Sequence, residues 1–160
     1  MKYKLVAFWL VVFGALFAFL QTRFEYHFYY IEQSQLFLFT EAYIRNKLLL
    51  PGGFSMLVAE FLVQFFIRPY VGALVTAALL TGVGVCTAGI VKRIAPISGL
   101  FILYVLPMLA LLFMHFDFNY RVQGTVCYLM MMALLCGYMR IRNELFRLVA
   151  GCVLVPVLFW

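Results

Sequence analysis

EYHFYYIEQSQLFLFTEAYIRNKLLLPGGFSMLVAEFLVQFFIR, residues Glu25–Arg68, decides how this chain folds. It holds Glu25, Glu32, Glu41 and Glu60, four of the six acidic residues in the protein. That content is too polar for a bilayer-crossing segment and too apolar for a solvated loop. On one side lies the apolar run Leu5–Leu20, and on the other a series of apolar runs from Tyr70 onward. The pattern predicts two amphipathic helices, about 33–50 and 54–68, lying along the outer surface of a membrane. Pro51-Gly52-Gly53 must separate them, because proline lacks the amide donor and glycine opens positive φ. In the first helix Glu41 and Arg45 form an i,i+4 pair in the favourable order. Leu36, Phe37, Phe39, Tyr43, Ile44 and Leu48 are left to meet lipid or protein. The aromatic cluster from Tyr26 to Tyr30 suits the headgroup level.

Phe54–Ile67 resembles a span but is too short. About 14 residues give roughly 21 Å of helix, against a hydrocarbon core of about 30 Å. Glu60, Gln64 and Arg68 also recur every four residues, which draws one polar stripe along an otherwise apolar helix. Facing lipid, that stripe would be costly, so it is expected to face water, the other helices or a ligand. A purely structural role, sealing the short helix against its neighbours, accounts for the stripe equally well.

Working outward, composition sets the class. The chain is 67% hydrophobic and 11% charged with mean hydropathy +1.05, whereas soluble domains carry roughly 25% charged residues. The expected fold is all-α: a polytopic helical membrane bundle with two juxtamembrane helices in its first outer loop. Spans are expected at about 5–20, 70–91, 97–116 and 124–139, with a fifth at 148–160. That fifth run covers only about 20 Å of helix, so residues 1–160 are expected to be the N-terminal part of a longer chain. The span from Tyr70 is rich in Gly and Ala, as a tightly packed helix interface requires. The lysines of Met1–Lys4 ahead of Leu5–Leu20 resemble a signal sequence. Because that run exits as Ala18-Phe19-Leu20-Gln21-Thr22-Arg23, without alternating small residues, it reads as an uncleaved anchor.

The net charge of +6 follows from Lys and Arg at segment ends. With Phe54–Ile67 on one side, Lys2, Lys4, Lys92, Arg93, Arg140, Arg142 and Arg147 fall together on the cytoplasmic side, as the positive-inside rule requires. If that helix crossed, Lys92-Arg93 and the Arg140–Arg147 group would both be outside. The layout therefore implies a multi-pass plasma-membrane protein with a cytoplasmic N-terminus. No basic cluster interleaved with aromatics occurs, so nucleic acid is excluded as a partner. The cysteines, Cys86, Cys127, Cys136 and Cys152, include no C-x-x-C pair and read as small apolar residues within the spans. His27 and His115 read as interfacial, and Met130–Met132 as packing.

Two resemblances add to this. Tyr26 through EQSQLFLFT, PGGF and AEFLVQFFIRPYVGAL resembles the N-terminal half of an uncharacterised multi-spanning family seen in Bacteroidetes, for which no activity is implied. The order of elements (one span, an outer loop with two juxtamembrane helices, two spans, a short acidic outer loop) is similar to the N-terminal module of GT-C glycosyltransferases. That resemblance implies a polyprenyl-phosphate-linked sugar donor, an acid in the first outer loop matching Glu25 or Glu32, and a D-x-D-like motif matching Asp117-Phe118-Asn119. Here the motif's second acid is Asn119, which departs from the pattern, although Asp117 and Asn119 oxygens suit Mg²⁺ or Mn²⁺.

Sugar transfer from a lipid phosphate needs a carboxylate base and positive charge at the leaving phosphate. Glu32, Glu25 or Asp117 would supply the base. Arg121, Arg68 and Arg45 would meet phosphate oxygens, and Glu60 and Gln64 would contact ligand. For Asp117 the alternative is a helix-end residue bonded to a loop amide. Scaffold and transporter-subunit readings stand beside the transferase. Transport is disfavoured because the charges cluster at segment ends rather than at mid-span depth. The charge layout makes a topological prediction: cysteines introduced at Gly53 and at Pro69 are both labelled by an impermeant thiol reagent from the outer side. Labelling of Pro69→Cys from the cytoplasmic side alone would overturn the layout.

Overall fold

The computed structural model describes residues 2–94 and 101–159. It is all-α, with eight α-helices, one 3₁₀ turn and no strand among the described residues. The helices are α1 (Lys2–Arg23), α2 (Glu25–Ser34), α3 (Glu41–Leu48), α4 (Gly53–Val63), α5 (Val71–Ile94), α6 (Phe101–Met114), α7 (Val122–Tyr138) and α8 (Glu144–Phe159). The 3₁₀ turn, Gln64–Ile67, extends α4. The stretches expected as spans coincide in sequence with α1, α5, α6, α7 and α8, but among the described residues only α1 and α5 hold stretches long and apolar enough to cross a bilayer, and α6 and α7 are shorter. Residues 95–100 and 160 lie outside the described residues.

Helix α5 is the centre, and α1, α6 and α7 all pack on it. Its small residues make this possible. Trp9 of α1 lies so close over Gly84 that a Cβ there would stand 2.6 Å from the indole. At Gly72 a Cβ would meet Phe28 of α2 at 2.6 Å from Cγ and 2.8 Å from Cβ. Gly82 receives Leu129 of α7, and Gly89 receives Cys136. Ala73, Ala77, Leu80 and Ala88 complete the buried face of α5.

The four helices run alternately up and down. At one end, where α1 and α6 finish and α5 and α7 begin, α2, the 3₁₀ turn, α3 and α4 form a cap. Within it α2 packs on the turn and on α5, α3 on α4, and α4 on α7. At the other end Arg93 donates to the Met139 carbonyl at 2.5 Å, and the Lys92 ammonium sits 5.6 Å from the centre of the Tyr104 ring.

The cap departs from the sequence reading, which expected two helices, in holding three: α2, α3 and α4. Residues 33–50 do not form one helix: α2 ends at Ser34, residues 35–40 are extended, and α3 starts at Glu41. Gln35 (φ −130°, ψ 76°) and Thr40 (φ −102°, ψ 139°) mark the break. The cause is tertiary. Gln64 Nε2 donates to the Phe37 carbonyl at 2.9 Å, and the Phe37 ring packs on Phe61 and Tyr43, both at 5.8 Å between centroids. A peptide carbonyl used in this way is unavailable to a helix ladder. The Pro51-Gly52-Gly53 break does form. Gly52 takes φ +71°, and a Cβ on Gly53 would stand 1.9 Å from the Lys47 carbonyl oxygen. Pro51 is accordingly the better labelling position than Gly53 for the topological test. Pro69 ends the 3₁₀ extension as expected, with Tyr70 held at φ +70° before α5.

Two helical stretches, Tyr3–Arg23 and Val71–Ile94, are long and apolar enough to cross a bilayer. All four cysteines are free thiols, and Cys127 and Cys152 are exposed rather than buried.

The glycine contacts give a prediction with opposite signs. Gly72→Ala drives a methyl into the root of the Phe28 side chain, and such overpacking costs about 1–3 kcal/mol. Nothing lies within 4 Å of a Cβ on Gly14, so Gly14→Ala is expected to be stabilising by about 0.5–1 kcal/mol, the usual helix gain. Thermal unfolding of the full chain followed by circular dichroism checks both. A Gly72→Ala protein with an unchanged midpoint would refute the tight packing.

Candidate functional site

The polar stripe of α4 turns toward the preceding chain. Glu60 is buried, and its Oε1 accepts a hydrogen bond from Lys47 Nζ at 2.7 Å. This is the one ion pair among the described residues. The Tyr43 hydroxyl donates to the other oxygen, Oε2. Lys47 also reaches Met56 Sδ at 3.0 Å and stands 5.3 Å from the Tyr43 ring centre. Tyr43 and Lys47 are one helical turn apart on α3, so a single face of that helix delivers both groups to one carboxylate. One turn beyond Glu60, Gln64 holds Phe37. Two members of the stripe thus bind the 35–47 segment to α4, and the third, Arg68, is exposed.

A cavity of about 260 Å³ opens beside this carboxylate. Tyr43, Lys47 and Glu60 form one wall, Gln35 and Leu36 a second, and Arg121 and Gln123 of the α7 start a third. The Arg121 backbone is extended (φ −86°, ψ 135°) because it caps α7, which leaves its side chain free of the helix. Among the described residues its guanidinium has no hydrogen-bond or ion-pair partner.

The other residues singled out in the sequence lie elsewhere. Asp117 is exposed, and its Oδ1 accepts the backbone N–H of Asn119 at 2.9 Å. This is the tight loop turn that the structural alternative described. Neither Asp117 nor Glu32 lines the Glu60 cavity. Glu25 and Arg68 share a narrow cleft with Tyr29 and Tyr70. Arg45 lies in a shallow groove with Glu41 and Leu48. Among the described residues, no group of three or more His, Cys, Asp or Glu is placed to hold a metal ion.

The loop bearing Asp117 docks on α2 through aromatic rings, with Phe118 at 4.8 Å from His27 and 6.0 Å from Tyr30. His27 is 5% exposed, and neither ring nitrogen has a hydrogen-bond partner. Burial lowers its pKa, partly opposed by the nearby Asp117 charge. His27 and His115, both read as interfacial, have buried side chains here.

Sequence reasoning missed Tyr43, Lys47, Gln35 and Gln123. Tyr43 was grouped with apolar residues, and its spacing to Lys47 was the one available signal.

The fold and this cavity define an all-α protein with a central four-helix unit and a polar-cored helical cap. The chain belongs to the family of unknown function DUF6057, whose sequence profile matches residues 1–160. Comparison with curated proteins and with solved structures gives no match.

The Tyr43–Glu60 contact implies an alkaline signature. Burial first, then the hydrogen bond to Glu60 and its negative charge, push the Tyr43 phenol up to about 12 from 10.0. The folded state holds this proton more tightly than the unfolded state. Its contribution is therefore fully present below pH 10 and is lost as the pH rises to about 12. Tyr43→Phe is expected to be less stable than the parent at pH 8, with the gap closing across that window. Denaturant midpoints measured from pH 8 to 12 check this, and a constant gap would refute it.

Proposed function

We propose that this chain is a multi-spanning module of a bacterial inner membrane, with α1, α5, α6 and α7 crossing, α8 entering, and the cap on the outer face. One observation carries the reading. Only 17% of the most apolar window of α1 is buried within the protein. The exposed faces of α6, including Ile102, Leu106 and Phe113, and of α8, including Phe146 and Leu148, are equally apolar. A soluble protein covers faces of this extent, and lipid is the solvent that suits them. Charge placement supports the same orientation. The chain direction sets Lys2, Lys4, Lys92, Arg93, Arg140, Arg142 and Arg147 at the end away from the cap, whereas Glu25, Glu32, Glu41, Glu60 and Asp117 fall on the cap side. That asymmetry fits a cytoplasmic N-terminus.

In its finer form the reading is a GT-C-like glycosyltransferase, or a catalytically silent relative, taking a polyprenyl-phosphate sugar at the outer face. Glu32, Glu25 and Asp117 would supply the base, Arg45, Arg68 and Arg121 the phosphate contacts, and Asp117 with Asn119 any Mg²⁺ or Mn²⁺. A non-enzymatic scaffold is the second reading. It is favoured by Asp117 being committed to its own turn and by the acids of α2 lying outside the cavity.

Two measurements test these levels separately. Membranes from cells expressing the full-length protein should retain it after alkaline carbonate extraction, and release to the supernatant would remove the membrane reading. Asp117→Ala and Glu32→Ala should each abolish sugar transfer from a lipid-linked donor. Retained transfer in both would remove these acids as the catalytic base.

A further inference from the structure

We propose that the cavity between α2, α3, α4 and the start of α7 binds a phosphorylated polyol, with Arg121 on the phosphate and the Glu60 wall on the hydroxyls. Three observations carry this. The first is charge. Lys47 and Arg121 are positive and Glu60 negative, and the Lys47–Glu60 pair at 2.7 Å leaves one cation, Arg121, facing the cavity unmatched. A guanidinium with five donors and no partner is built for phosphate oxygens.

The second is an acceptor without a donor. The Tyr43 hydroxyl lies against both Glu60 Oε2 and the Leu36 carbonyl, the latter at 3.0 Å. One hydroxyl hydrogen cannot serve both. When it goes to the Glu60 carboxylate, the carbonyl of Leu36, a residue that lines the cavity, is left free to accept from another donor. Beside it stand the amides of Gln35 and Gln123, which each give and accept. A ligand hydroxyl gives to this carbonyl and accepts from the amides, and a polyol brings several such hydroxyls beside its phosphate.

The third is size. A cavity of about 260 Å³ is smaller than the roughly 300–1,000 Å³ of drug-sized pockets, so it suits a single headgroup and not a nucleotide or a peptide. The same chemistry is presented by a phospholipid headgroup and by a free polyol phosphate. The site assignment rests on the membrane reading only for the lipid as source.

The test uses the full chain in nanodiscs of neutral phosphatidylcholine, titrated calorimetrically with glycerol 3-phosphate, inorganic phosphate and glycerol. A parallel arm compares the thermal midpoint in neutral nanodiscs with that in nanodiscs containing phosphatidylglycerol. Arg121 is exposed, so Arg121→Gln and Arg121→Lys are expected to fold, and Arg142→Gln at the far end is the control. Glycerol 3-phosphate should bind more tightly than inorganic phosphate. Arg121→Gln should weaken it about tenfold or more, the loss expected for a charge-assisted hydrogen bond. Arg121→Lys should lose less, and Arg142→Gln nothing. Stabilisation by phosphatidylglycerol that depends on Arg121, without binding of the free compound, assigns the lipid source. Binding of the free compound by a chain that fails to enter bilayers keeps the site and removes the membrane reading. Inorganic phosphate binding as tightly as glycerol 3-phosphate, or identical behaviour of the parent and Arg121→Gln in both arms, overturns the proposal.

Discussion

The absence of a Cβ at Gly72 and Gly84 is the constraint on which the rest of the structure depends. Helices approach one another at about 8–10 Å, depending on the side chains at the contact, and here two close contacts on α5 are aromatic. Trp9 and Phe28 lie flush on the backbone of α5, so α1 and α2 both take their positions from that one helix. Once α1 and α2 are fixed, the polypeptide between them and α5 must loop out and return within the 36 residues 35–70. The cap is that excursion, compacted.

What compacts it is a single carboxylate. Glu60 binds Lys47 and Tyr43 across the Gly52–Gly53 hinge, and Gln64 reaches the extended strand-like segment through Phe37. Burying an ionised group is expensive unless it is paired and hydrogen-bonded. Glu60 meets that condition with one cation and one hydroxyl. A chain lacking either α3 donor would leave one carboxylate oxygen without its protein partner. The polar stripe therefore holds the cap together before it does anything to a ligand, and the cavity exists because the stripe pulls α3 over α4 without filling the space beside α7.

Much of this was legible in the sequence because it rests on local rules. Helical class, the short α4, the Pro51-Gly52-Gly53 break, the stop at Pro69 and the small-residue face of α5 each follow from composition or spacing. The break at 35–40 was not legible. Leu36-Phe37-Leu38-Phe39 has no glycine or proline, and only the distant Gln64 amide and the Phe61 ring hold it extended. The candidate site divided along the same line. Glu60, Gln64 and Arg121 were visible as polar residues at meaningful spacing, whereas Tyr43 was counted as apolar because its hydroxyl role depends on a residue 17 positions away. Asp117 looked like chemistry because acids are scarce in this chain. Its loop geometry instead gives one oxygen to its own backbone.

These placements also bear on what kind of activity the fold accommodates. A transporter needs polar groups along the length of its spans, at depths where a substrate passes. Here the buried polar residues of the central unit are Thr76, Thr87, Thr125 and His115. Thr87 returns its hydrogen bond to the Val83 carbonyl one turn back, and His115 bonds Thr125 at 2.9 Å close to the cap end. None of these four carries a carboxylate or a cation into the middle of the bundle. Among the described residues the one buried carboxylate, Glu60, lies in the cap, outside the four packed helices. The cavity beside it is lined from α3, α4 and the start of α7, so the polar surface of this fold lies in the cap and not along the central helices.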